Sequence, residues 1–272
     1  MAVALSYTEY GAGEPLVILH GLFGSKRNWS AVAKRLGAVR RVLAVDLRNH
    51  GESPWDDRHD YPALAEDVAD LIDRVIGRPA AVLGHSMGGK AAMLVALTRP
   101  ELVERLVVAD IAPARSNGSL IEPLRALRAV PLEAHGRRAE VEAALAEAIP
   151  DPAVRGFLVL NLVPGPKGLS WTVNLDALER HFDAIAGFPS VPAGERFDGP
   201  TLFVVGGRSD YVRPEHHAEI ARLFPAAEFA VLAGAGHWVH ADAPGPFIDA
   251  VGRFLSAMGR CRVTAGGTGQ PA

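Results

Sequence analysis

Ala80-Ala81-Val82-Leu83-Gly84-His85-Ser86-Met87-Gly88-Gly89-Lys90-Ala91 is the stretch on which the fold turns. Its first four residues, small or branched and apolar, read as a buried strand. The run from Met87 through Met93 and Leu94 to Leu97 reads as a helix that stops before Pro100. Between them stands Gly-x-Ser-x-Gly, the pattern of a nucleophile elbow. A chain that passes from strand to helix in so few residues needs a strained backbone at the apex, and side chains at Gly84 or Gly88 would collide with neighbouring backbone. The turn therefore predicts a serine lifted clear of the sheet, with helix N–H groups aimed at any negative charge that forms beside it. Ser86 is the candidate nucleophile, and the Met87 N–H is the first candidate oxyanion donor.

Working outward, apolar runs alternate with helix-like segments. Strands are expected at Leu16 to Leu19, Arg41 to Val45, Ala80 to Leu83, Leu106 to Ala109, Thr201 to Val205 and Phe229 to Leu232, after a first strand ending near Gly11. Helices are expected at Asn28 to Leu36, Tyr61 to Ile76, Met87 to Thr98, Pro214 to Leu223 and Pro244 to Ala257. Such alternation predicts an α/β fold, a mostly parallel sheet wrapped by helices. From Pro113 to Asp198 the strand signals stop, and helices are expected at Ile121 to Ala129, Arg137 to Ala148, Ala153 to Leu162 and Leu175 to Ala186. Pro131, Pro150-Asp151-Pro152 and Pro164-Gly165-Pro166 break that region into short pieces. The organisation read from this pattern is a core of residues 1–112 and 199–258, a helical cap over 113–198 and a disordered tail over 259–272. Phe157, Trp171, Phe182 and Phe188 are pocket candidates within the cap, or its own core; the whole insertion can also be read as a helical bundle with no part in substrate choice.

A serine nucleophile needs a base, and His237 in Gly234-Ala235-Gly236-His237-Trp238 follows the last strand at the same sheet edge. His85 adjoins the nucleophile but should point away across the turn, and His240 should pack beside Trp238. Two aspartates compete to orient the imidazole. Asp210 follows the penultimate strand, and Asp110 follows the strand after the nucleophile helix; both stay open on this reading, with Ser209 able to lend a hydroxyl or simply form the turn. The second oxyanion donor should come from His20-Gly21-Leu22-Phe23-Gly24, as the Leu22 N–H or, failing that, the Phe23 N–H, with His20 as a structural hydrogen-bonding residue. Phe23, Trp238 and Met87 are expected to line an apolar acyl pocket.

Composition narrows the function classes. The 272 residues carry a net charge of −3, with 49% hydrophobic and 22% charged residues, which offers no basic footprint for nucleic acid. Arg125, Arg128, Arg137 and Arg138 form a local basic cluster that reads as a solvated helix face. No apolar run approaches the roughly 20 residues of a membrane span. The N-terminus lacks an export signal, and the single cysteine, Cys261, suits a cytoplasmic location. No metal-ligand spacing is present, since His216 and His217 are adjacent and diverge on a helix.

Taken together, Leu19-His20-Gly21-Leu22-Phe23-Gly24-Ser25, Asp46-Leu47-Arg48-Asn49-His50-Gly51-Glu52-Ser53, Gly84 to Lys90 and Gly236-His237-Trp238-Val239-His240-Ala241-Asp242 resemble the α/β-hydrolase superfamily. More narrowly, they are similar to small bacterial acyl esterases related to the mitochondrial abhydrolase-domain proteins. The resemblance covers residues 3 to 257, with Asp110-Ile111-Ala112-Pro113 and Val173 to Leu178 included. It implies an α/β-hydrolase fold with a helical cap between the strands that the family counts sixth and seventh. It also implies Asp110 as the acid, although this chain carries Asp210 as well. The implied substrates are small-molecule carboxylic esters or thioesters with short to medium acyl chains, cleaved through an acyl-enzyme by a carboxylesterase-type serine hydrolase without metal or organic cofactor. A serine at the elbow disfavours dehalogenase and epoxide-hydrolase chemistry, which requires a carboxylate nucleophile. A carbon–carbon bond hydrolase, a lactonase or a cofactor-free perhydrolase would use the same residues, and a ligand-binding module would keep the fold with little turnover.

Overall fold

Runs of branched and small apolar residues set the sheet, and their flanking turns set its edges. The computed structural model describes residues 1–116, 120–165 and 168–257; Cys261 and the tail 259–272 lie outside the described residues. The strands are β1 (Tyr7–Tyr10), β2 (Pro15–Leu19), β3 (Arg41–Val45), β4 (Ala80–His85), β5 (Val103–Ala109), β6 (Leu162–Gly165), β7 (Gly168–Trp171), β8 (Thr201–Gly206) and β9 (Ala227–Leu232). Seven of them form one sheet in the order β1-β3-β2-β4-β5-β8-β9. Only β1 is antiparallel to its neighbour; the other pairings are parallel, as continuous apolar strands joined through helices require.

Helices α1 (Ser30–Leu36), α2 (Tyr61–Leu71), α3 (Met87–Thr98), α4 (Ile121–Ala129), α5 (Arg138–Ala144), α6 (Pro152–Leu158), α7 (Leu175–Arg180), α8 (Phe182–Ala186), α9 (His217–Leu223), α10 (Val239–Asp242) and α11 (Pro244–Ser256) complete the chain. All five residues of β2 are buried, because each face of the sheet is covered. Val17 and Leu19 join the core shared with α2 and α3, whereas Leu16 and Ile18 join a second core with Val32 and Leu36 of α1 and Phe247, Val251 and Leu255 of α11. Among the described residues no helix is long and apolar enough to cross a membrane.

Three local departures from expectation have physical causes. The helix expected over Tyr61 to Ile76 keeps regular geometry only to Leu71; the chain then widens into a turn closed by the Gly77 N–H on the Ile72 carbonyl at 2.8 Å. The helix expected over Leu175 to Ala186 breaks at His181, whose Nε2–H reaches out to the Asp57 carbonyl at 2.9 Å. The insertion is not wholly helical, since β6 and β7 pair as an antiparallel hairpin. Pro164 lies exposed in that short two-stranded ribbon, where a missing N–H is tolerated, so the expected breaker is part of a strand. The basic cluster is neutralised locally: Arg125 and Arg128 pair with Glu179, Arg137 pairs with Glu140, and Arg138 donates to the Leu162 carbonyl.

The contact that positions everything downstream lies at the end of β4. A methyl group on Gly84 would sit 2.1 Å from the Gly88 carbonyl oxygen, and one on Gly88 would sit 2.4 Å from the His20 carbonyl oxygen. Backbone, not a movable side chain, blocks both. Gly84→Ala should therefore lower the urea midpoint by the equivalent of about 1–3 kcal/mol; an unchanged midpoint would show that the first turn of α3 can move away from β4.

Candidate active site

The strand register brings the candidate residues to one edge of the sheet. His85 of β4 lies opposite Ala109 of β5, so Ser86 and Asp110, the next residues, emerge side by side at the carboxyl ends of adjacent strands. Ser86 has φ 51 and ψ −119; its N–H donates to the Ala109 carbonyl at 3.1 Å, and its carbonyl accepts the Lys90 N–H at 3.0 Å. Asp110 also has φ 51 and is anchored by its own N–H on the Val204 carbonyl at 2.8 Å. Among the described residues the non-glycine positions with such left-handed backbone are Phe23, Asn49, Ser86 and Asp110. Strain of this kind persists only where surrounding contacts enforce it; Phe23 and Ser86 border one cavity, and Asp110 holds His237 on its wall.

Of the two aspartates, the one set against the imidazole is Asp110. The His237 Nδ1–H donates to Asp110 Oδ2 at 2.8 Å, and the carboxylate is fully buried. It also accepts the Gly206 N–H on Oδ1 at 2.8 Å and the Ser209 hydroxyl on Oδ2 at 2.5 Å. Three donors satisfy a charge that burial alone would disfavour. With Nδ1 protonated, His237 Nε2 is left with a lone pair. Asp210 is exposed and lines a separate groove with Arg213 and His216; the turn after β8 directs Ser209, not Asp210, toward His237. Ser209 both supplies that hydroxyl and shapes the turn by accepting the Tyr211 N–H at 3.3 Å. Sequence reasoning missed Tyr211, whose ring stacks on His237 with centroids 3.8 Å apart. Lying five residues past the end of β8 in a loop, it carried no periodicity to mark it.

The rest of the cleft is built from the loop after β2 and from the insertion, with the loop after β3 bonded behind Phe23. Met87 occupies the first position of α3, where an N–H has no intrahelical acceptor. The Leu22 N–H has no acceptor among the described residues, whereas the Phe23 N–H is already donated to His50 Nε2 at 3.3 Å. Of the two residues considered in that turn, Leu22 is therefore the one with an available donor. Ser86, Leu22, Phe23, His237 and Trp238 border a cavity of about 460 Å³, with Phe157 of α6 packed 5.7 Å from the Trp238 ring. Met87 lies on a smaller cavity beyond Ser86, together with Phe182. Trp171 borders a different groove, and Phe188 packs against Tyr61.

A set of neutral histidines backs these loops. His20 accepts the Leu47 N–H on Nε2 and donates from Nδ1 to the Gly21 carbonyl. His50 accepts the Phe23 N–H and donates to the Arg48 carbonyl, and His59 accepts from Asn49 and donates to Met87 Sδ. His85 borders the same cavity as Ser86, its ring 4.7 Å from that of His237, and its Nε2–H donates to the His237 carbonyl at 2.9 Å. His240 stacks on Trp29, at 4.1 Å, rather than beside Trp238, because α10 turns its ring inward toward the core under α11. Burial pushes His50 down to about 3 and His240 down to about 4, and it lowers His20, His59 and His85 as well.

Comparison with known proteins agrees with this architecture. The model of the alpha/beta hydrolase family matches residues 16–250. The chain is 44% identical over 244 residues to the sn-1-specific diacylglycerol lipase ABHD11 of Mus musculus, covering 87% of this chain and 79% of that one. It is 35% identical over 240 residues to esterase YbfF of Escherichia coli (strain K12), covering 88% and 92%. A solved marine microorganism esterase superimposes with a TM-score of 0.90 at 34% identity, covering 93% of this chain and 100% of that one.

The buried histidines make stability depend on pH. Each titrates lower in the folded than in the unfolded chain, so the unfolded chain binds more protons below about pH 6.5. Their contribution is complete above that value and is lost as pH falls toward the folded values near 4 and 3. Urea midpoints should thus decline from about pH 7 to about pH 5, each histidine contributing a slope of up to about 1.4 kcal/mol per pH unit; a flat profile would contradict neutral burial.

Proposed function

The chain belongs to the alpha/beta hydrolase family, and from that premise we propose that it is a serine carboxylesterase acting on esters, and thioesters, of short to medium acyl chains. The observation that carries the reading is the bond from the His237 Nδ1–H to buried Asp110, with Ser86 and His237 on the wall of one cavity. Esterase and lipase relatives across most of the chain support ester hydrolysis as the activity.

In the proposed mechanism Ser86 Oγ bonds to the ester carbonyl carbon while its proton passes to His237 Nε2. Asp110 holds the imidazole in the required tautomer and offsets the imidazolium charge. The Leu22 and Met87 N–H groups receive the oxyanion, a contribution typically on the order of a hundredfold or more per donor. Collapse breaks the bond to the alcohol oxygen, which leaves with the proton from His237. Water then repeats the sequence on the acyl-enzyme, releasing the carboxylic acid and restoring Ser86. No residue in this scheme requires a metal or an organic cofactor.

Ser86→Ala should reduce hydrolysis of p-nitrophenyl acetate by about 10⁴-fold or more with little change in thermal midpoint. Asp110→Asn should lose on the order of 10⁴-fold, whereas exposed Asp210→Asn should stay within about threefold of the parent. Retained turnover in the serine variant, or a larger loss at position 210 than at 110, would overturn the assignment.

A further inference from the structure

Ser86 stands on the partition between two cavities of very different size. The larger, about 460 Å³, has His237, Trp238 and Phe157 on its walls. The smaller, about 30 Å³, has Met87, Lys90, Ser116 and Ile185, and among the described residues His237 is not on its wall. Leu22, Leu120 and Tyr211 border both.

The chemistry assigns a direction to each part of the substrate. A tetrahedral centre on Ser86 Oγ carries an oxyanion, a leaving oxygen and an acyl carbon. The leaving oxygen must face the imidazole, because that ring returns its proton. The oxyanion faces the Leu22 and Met87 N–H groups. What remains for the acyl carbon is the side away from His237. Resting on the serine-esterase reading above, we infer that the small cavity is the acyl subsite and the large apolar cavity receives the alcohol. The preferred substrates are then acetyl and propionyl esters of bulky apolar alcohols. Phe23 and Trp238, expected to line an acyl pocket, face the alcohol, and Met87 faces the acyl group.

Size and chemistry at the end of the small cavity both limit the chain. At about 10–15 Å³ for each water-sized group, the cavity holds roughly two or three heavy atoms. Lys90 is on its wall, 1% exposed, and burial pushes its amine down to about 7. Its Nζ–H groups donate to the Ala186 carbonyl at 2.8 Å and the Gly187 carbonyl at 2.7 Å, and Nζ lies 5.7 Å from the centre of the Tyr61 ring. Ser116 fixes the same Ala186 carbonyl through its N–H and hydroxyl. A longer alkyl chain would have to run onto a polar group held in place by both carbonyls, and would cover its remaining N–H or lone pair without offering a partner. The large cavity presents no such stop, and its Phe157 and Trp238 rings suit an apolar alcohol.

Two matched substrate series test the assignment. In p-nitrophenyl esters from acetyl to decanoyl, kcat/KM should fall by about tenfold or more between propionyl and hexanoyl. In acetates running from ethyl to cyclohexyl to 2-naphthyl, it should rise with the size of the alcohol. Ile185→Ala, which shortens a side chain on the small cavity, should move the acyl optimum toward butyryl, and Phe157→Ala should alter only the alcohol series. Preference for hexanoyl or longer chains in the parent protein would overturn the inference whether or not the variants fold. Labelling of Ser86 by a fluorophosphonate separates the two levels: long-chain preference with labelling defeats the subsite assignment alone, and absence of labelling defeats the serine reading with it.

Discussion

Backbone pressed against backbone at the end of β4 is the constraint on which the rest of this molecule depends. The peptide of Gly88 lies where a side chain on Gly84 would be, and the peptides of Leu19 and His20 lie where one on Gly88 would be. That stacking brings the first turn of α3 down onto β2 and leaves Ser86 no conformation but a left-handed one, φ 51. The same approach places the loop after β2 beside the serine, so one close contact orients the hydroxyl, the helix N-terminus and Leu22 together. A helix that rode higher on the sheet would relieve the strain and separate all three.

A second buried feature depends on the first. Asp110 can remain charged without solvent because Gly206, Ser209 and His237 all donate to it, and those donors come from two different chain segments beyond the insertion. The carboxylate thus ties the carboxyl end of β5 to the end of β8 and to the loop after β9. Its left-handed backbone turns the side chain across the sheet edge toward β8, which a regular strand end would not do. Orientation of the imidazole and closure of that sheet edge are consequences of the same three hydrogen bonds.

The sheet and the elbow were legible in the sequence because their signals are local: apolar runs in Val17 to Leu19 and Val107 to Ala109, and glycines two residues either side of Ser86. The competition between Asp110 and Asp210 was not, since both follow strands and composition says nothing about which of two turns points inward. Geometry distinguishes them through Ser209, one residue from Asp210, whose hydroxyl takes the inward position. Tyr211 and the Trp29–His240 stack were hidden for a related reason, because each partner pair joins residues more than twenty positions apart in sequence. The hairpin in the insertion escaped notice because Pro164 and Gly165 read as breakers, a reading that fails in a two-stranded ribbon with an exposed edge.

How the insertion meets the core bears on whether the cleft is preorganised. Asn161 Nδ2 donates to the Phe23 carbonyl at 2.7 Å, and Asn174 bonds both the carbonyl and the side chain of Asn49. Phe23, on the cleft wall, and Asn49, in the loop behind it, are themselves strained residues. Tyr61 and Lys90 hold three consecutive carbonyls, Ile185 to Gly187, at the end of α8. The insertion is therefore bonded to the very loops whose conformation sets the available N–H of Leu22 and the walls on either side of Ser86. Loosening it would expose the cleft and also release the strain that keeps those loops in place, so geometry at the serine and closure over it are set by the same contacts.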